Sequence, residues 1–129
     1  MSNYEVSNYL MKIADELMDT NDKFSHLRDY GCRIVYLMSD QPKKSAGRSV
    51  YADTEKVKDK YKCFSPYDFV ITFYQPNCAG LEEEHLKRLM FHELLHIGFD
   101  EDGNCSIIPH DVEDFREVIG NWGMNWLYE

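Results

Sequence analysis

The sequence predicts a single α+β domain over residues 1–129, with a short mixed or antiparallel sheet packed on one central helix and further helices at its flanks. Three observations predict it. Near the N-terminus, apolar residues recur at three- and four-residue spacing, which makes a stripe along one side of a helix. Two runs rich in β-branched and aromatic residues, Cys32 to Met38 and Tyr67 to Tyr74, read as strands. A second helical pattern, from Leu81 to about Gly98, carries His92, Glu93 and His96 among its packing positions. A length of 129 residues suits one core and leaves little room for another. A composition of 43% hydrophobic and 29% charged residues is that of an ordinary globular protein.

The first helix is expected over Tyr4 to Thr20. Val6, Tyr9, Leu10, Ile13 and Leu17 form its apolar stripe, with Asp15, Glu16 and Asp19 on the other side. A short turn or helix carrying Phe24 and Leu27 follows, and His26 reads as a surface or capping residue. Gly31 ends that pattern. The near-continuous apolarity of Cys32 to Met38 then points to an interior strand. Ser39-Asp40-Gln41-Pro42 stops it, and Lys43 to Gly47 reads as an exposed loop. Ser49 to Ala52 reads as a weaker strand, while the charged stretch Asp53 to Tyr61 fits strand and helix equally. Tyr67 to Tyr74 is the clearest strand, closed by Gln75-Pro76-Asn77. In the central helix, Glu82, Glu83 and Glu84 crowd the first turn, where carboxylates favour the positive end of the dipole. Leu86, Leu89, Met90, Leu94 and Ile97 bury it, and Gly98 reads as its stop. The acidic run Phe99 to Ser106 reverses the chain. A final helix is expected after an Asp111 N-cap, with Val112, Phe115, Val118, Ile119 and Trp122 as its stripe.

Composition narrows the function. A formal net charge of -9 disfavours nucleic acid as a partner, and the best local basic patch, Lys43, Lys44 and Arg48, is small. No apolar run approaches the ~20 residues that cross a bilayer, and the first residues do not read as a signal peptide. A cytoplasmic protein without membrane association is therefore expected. Cys32, Cys63, Cys78 and Cys105 form no Cys-x-x-Cys pair, so reduced thiols are expected in place of a structural zinc site or a disulfide framework. Cys105 lies between the two parts of the site described next, where oxidation would interfere.

That site starts from Phe91-His92-Glu93-Leu94-Leu95-His96-Ile97. Two His four residues apart project from one face of a helix, one turn apart, where both can bind one cation. Glu93 beside them can act on a metal-bound water without ligating the metal. His-Glu-x-x-His is the zinc-peptidase signature, and a rigid, buried helix is what such a site requires. A catalytic zinc takes three protein ligands and leaves one position for water. His110, just before the last helix, is the expected third ligand, with Asp111 placed to orient an imidazole. Asp102, Glu113 and Glu117 remain alternatives. The longer metzincin pattern would need Gly at 99 and His at 102, where this chain has Phe99 and Asp102. His85, seven residues before His92, stands about 10 Å away along the helix, too far to share the ion. With three neutral imidazoles, zinc lowers the pKa of its water towards ~7, and Glu93 takes the proton as the water attacks a carbonyl. An extended peptide can pair with a sheet edge. Tyr67 to Tyr74 is the candidate, its alternative being a core strand without substrate contact.

The run Asp68-Phe69-Val70-Ile71, then Leu89 to Ile97, then His110-Asp111-Val112-Glu113-Asp114-Phe115, resembles the phage metallopeptidases, small zincin-like proteins encoded by phages and prophages of bacteria. The resemblance runs from about Arg33 to Ile119. It implies a small zincin-like fold and a zinc-dependent peptidase of the bacterial host cytoplasm acting on a peptide or protein, with His92, His96 and His110 as ligands and Glu93 as base. The layout also resembles SprT-like proteases, which act at DNA, but the acidic balance and the lack of a basic or zinc-ribbon extension argue against that role. Two other readings stand beside the peptidase. One is a non-catalytic, zinc-stabilised phage binding module that engages a host factor. The other is a metal hydrolase acting on something other than peptide.

Overall fold

The computed structural model describes residues 3–109. In chain order its elements are β1 (Tyr4–Val6), α1 (Asn8–Thr20), a 3-10 turn (Asp22–Phe24), α2 (Ser25–Asp29), β2 (Ile34–Ser39), β3 (Lys44–Ser45), β4 (Arg48–Ser49), β5 (Ala52–Lys56), a second 3-10 turn (Asp59–Cys63), β6 (Phe69–Tyr74), α3 (Gln75–Cys78), α4 (Glu83–Leu95), β7 (Ile97–Phe99) and β8 (Cys105–Ile107). The expected final helix, with His110, Asp111, Glu113 and Glu117, lies outside the described residues.

The two apolar runs pair with each other. β2 and β6 are parallel, from Ile34 opposite Phe69 to Ser39 opposite Tyr74. β1 adds antiparallel outside β2, and β5 antiparallel outside β6, giving the order β1-β2-β6-β5. The sheet is therefore mixed, and the fold is α+β. Because strand side chains alternate between faces, Phe69, Ile71 and Phe73 share one face, and each is fully buried. Both long helices cover that face: α1 packs on β2, α4 on β5, and the two helices on each other. Leu10, Ile13 and Ala14 of α1 meet Met90, Phe91 and Leu94 of α4 in this core. Phe24 stands edge-on to Phe91, ring centroids 5.1 Å apart.

The chain differs from expectation at four places. The first helix begins at Asn8, capped by Ser7, whose Oγ accepts from the Leu10 N–H at 3.1 Å. Tyr4 to Val6 form a strand instead, because β2 offers an open backbone edge to pair with. Lys44–Ser45 and Arg48–Ser49 form a small hairpin where a loop was expected, turned by Ala46 and Gly47 at φ 51 and 77. The charged stretch Asp53 to Tyr61 divides between strand β5, which ends at Lys56 and whose polar residues suit a sheet edge, and the second 3-10 turn from Asp59. The central helix stops at Leu95, and Gly98 sits in β7 opposite Ser106. A Cβ on Gly98 would come within 2.5 Å of Ile108 Cδ1, so its missing side chain admits the close crossing of Ile108.

Two aromatic residues separate core from surface. Phe73→Ala should lower the unfolding free energy by about 3–5 kcal/mol, whereas Phe64→Ala, with Phe64 75% exposed, should shift it by no more than ~0.5 kcal/mol. Urea denaturation of the two variants checks both values.

Candidate metal centre

Helix α4 presents His92 on its last turn, and His96 is the capping residue directly after it. Four positions apart, their rings come together, centroids 5.1 Å apart and inclined at 69°. Between them Glu93 turns inward and is only 4% exposed. One ligand atom from each of His92, Glu93 and His96 lies within 4.8 Å of the others, so the three groups can surround a single small cation.

Two contacts fix the geometry. The first is at His96. Its Nδ1 is 2.7 Å from the Ile108 carbonyl oxygen, and a carbonyl only accepts, so Nδ1 carries the proton. In the neutral ring Nε2 then bears the lone pair, which is how an imidazole is readied to bind a metal. The Ile108 N–H in turn donates to the His96 carbonyl at 2.7 Å. Ile108 thus brackets His96 through both of its backbone polar atoms, and the β7–β8 hairpin supplies the register that brings it there. The hairpin loop is itself fixed by Asp100, whose Oδ1 accepts from the N–H groups of Asp102 and Asn104, both at 2.9 Å.

The second contact is at Glu93. The Thr54 hydroxyl is 2.8 Å from Glu93 Oε1 and 3.2 Å from the Glu93 carbonyl oxygen. A buried carboxylate without a donor is costly, and Thr54 supplies one from the neighbouring strand. Thr54 lies opposite Ile71 in the sheet and therefore on the face that α4 covers. Sequence reasoning missed Thr54 because its surroundings, Ala52 to Lys56, are too polar to declare a strand. Alternation through Asp53-Thr54-Glu55 was the signal that would have placed its hydroxyl inward.

Of the residues proposed from sequence, the structure brings together His92, Glu93 and His96. His85 and Asp102 are not part of this group among the described residues, and His110 lies outside them. The His92–Glu93–His96 cluster suits a metal ion, the imidazoles offering ligand nitrogens and the carboxylate standing beside them. All four cysteines are free thiols and none joins the cluster among the described residues. Burial pushes the Cys32 thiol up to about 12 and raises Cys105 as well, so neither is a ready thiolate. Lys43 is engaged in a salt bridge with Asp53, so the small basic patch it was expected to share loses one charge.

Removing the donor at Thr54 should be felt in stability even without substrate. Thr54→Val should cost about 1.5–3 kcal/mol, the usual range for a hydrogen bond to a charged group, and Thr54→Ser should recover most of it. Urea denaturation of the pair at neutral pH reads the difference.

Among the described residues no helix is long and apolar enough to cross a membrane. No curated protein and no solved structure matches the chain. A family model does, over residues 2–129, and its description is "Putative phage metallopeptidase". That match spans both the His92–His96 helix and the strands that hold it, so the chain belongs to this phage metallopeptidase family.

Proposed function

We propose that the protein is a zinc-dependent peptidase working inside a bacterial host cell, with His92, His96 and His110 as metal ligands and Glu93 as general base. The observation that carries the reading is the buried Glu93 carboxylate, held by Thr54 at 2.8 Å within the same group as the two imidazoles. A metal that only stabilises a fold needs no such carboxylate, so this feature favours catalysis over a binding module. His110 follows Ile108 by two residues, a step of at most about 7 Å, and Ile108 is bonded to His96. That short tether supports His110 as the third ligand over Glu113 or Glu117.

Zinc, when bound, supplies Lewis acidity towards the scissile carbonyl and the attacking water. The chain's own groups do the rest. His96 donates its Nδ1–H to the Ile108 carbonyl oxygen and keeps Nε2 for the metal. Glu93 accepts the proton of the attacking water on its carboxylate and passes it to the leaving amine nitrogen. Thr54 holds Oε1 so that the carboxylate does not swing away.

The sheet edge offers a way to hold the peptide. Tyr67 to Tyr74, the strand first considered, has both of its edges occupied, by β2 and β5. The outer strand is β5, and among the described residues no strand pairs with its far side. The Val57 N–H donates to Asp68 and the Tyr51 carbonyl accepts from Tyr74, both at 2.9 Å, so 51 and 57 face inward. By the alternation of an antiparallel ladder, Ala52, Thr54 and Lys56 turn their backbone groups outward. An extended peptide added there would run beside the residue that holds Glu93.

Glu93→Gln should keep its metal and lose peptide hydrolysis by about 10²–10⁴-fold, while His92→Ala should lose the metal. Metal analysis joined to a proteome-wide cleavage screen of wild type and both variants tests this. Full cleavage by Glu93→Gln would sink the assignment of the base.

A further inference from the structure

Resting on the peptidase reading, we propose that the far end of β5 carries an acid-selective, aromatic-lined subsite for the polypeptide laid along that edge. Four lysines, Lys56, Lys58, Lys60 and Lys62, fall within seven residues of a chain whose net charge is -9. Lys62 is paired with Asp68 at 3.0 Å, and Lys60 lies 5.1 Å over the Tyr61 ring. Among the described residues no salt bridge engages Lys56 or Lys58, so these two remain to meet a partner's charge.

Lys56 and Lys58 border an apolar groove of about 550 Å³ lined by Val57, Tyr61, Phe64 and Val70. Phe64 is 75% exposed and Tyr61 41%, with ring centroids 5.8 Å apart in an edge-on arrangement. An exposed aromatic pair inside a concave, lysine-flanked surface is what a binding site for an apolar side chain requires. Glu55 also lines the groove and stands opposite Val70 in the sheet. It repels an acid placed over the sheet itself, so a partner's carboxylates belong beside Lys56 and Lys58 and its aromatic ring over Phe64.

The groove continues the β5 edge. A strand added outside β5 sends alternate side chains to the face that carries Glu55 and Val57, directly towards these rings. A polypeptide uses both features, since its backbone can bond to the outward groups of Lys56 while its side chains enter the groove. Single-stranded nucleic acid would use the rings and lysines but not the strand edge. The observations favour the peptide.

The test uses the full chain carrying Glu93→Gln, so that peptide is bound and not cut. Two fluorescent decapeptides are compared by anisotropy, one with a Phe flanked by Asp and Glu, the other with Lys at each acidic position. The acidic peptide should bind about tenfold more tightly. Adding Phe64→Ala should weaken it by a similar factor. Lys58→Glu should reverse the preference towards the Lys peptide, a gain that misfolding cannot produce. Equal affinities, or a preference unchanged by Lys58→Glu, overturns the subsite. So does an oligo-dT that binds more tightly than the acidic peptide and is weakened by the same variants. The two readings fail separately: wild-type cleavage without acid preference removes only the subsite, whereas acid-selective binding without any cleavage removes only the peptidase.

Discussion

The structure is organised around one buried carboxylate. Glu93 sits 4% exposed in the last turn of α4, between the core and a pair of histidines. A buried carboxyl group is stabilised by a donor in fixed position, and Thr54 supplies one. The hydrogen bond ties α4 to an edge strand, fixes which β5 residue faces the helix, and so sets the register of the outermost strand. A one-residue slip of β5 would turn Thr54 to the other face and bring Asp53 or Glu55 towards Glu93, a like charge in place of a donor. Sheet register and site chemistry are the same constraint.

The imidazoles are controlled from the other side of the helix end. α4 ends at Leu95 because the chain must turn into β7, and the β7–β8 pairing returns Ile108 to His96. Gly98 allows that crossing at a distance no side chain would permit. The hairpin therefore acts as a support for one ring, orienting it and choosing its tautomer. The helix brings His92 and His96 together, and the hairpin decides which nitrogen of His96 is offered.

Much of this was legible in the sequence, for physical reasons. The heptad Phe91 to Ile97 sits in a long apolar periodicity, and β2 and β6 are nearly continuous apolar runs, so burial writes them plainly. What depends on pairing between distant segments was not legible. β1 is held by its backbone alone and its three residues are exposed, so no side-chain pattern announces it. β5 is an edge strand, where polar residues are the rule, and Thr54 was hidden in it. The helix end moved from Gly98 to Leu95 because hairpin pairing overrode a local stop signal. Lys43 read as part of a basic surface because nothing in sequence shows Asp53 ten residues on reaching it. Local periodicity gave the two histidines; tertiary pairing gave the residues that make them usable.

The bracket on His96 and the clamp on Glu93 also differ in how far apart along the chain their partners lie. His96 and Ile108 are 12 residues apart, whereas Thr54 and Glu93 are 39 apart. Closing the longer loop costs about 1 kcal/mol more in chain entropy, and it further requires β5 to find β6. The histidine pair thus rests on local contacts, and the carboxylate on distant ones. In a chain organised in that way the two imidazoles come together first, and the Glu93 carboxylate is held in place only with the complete sheet.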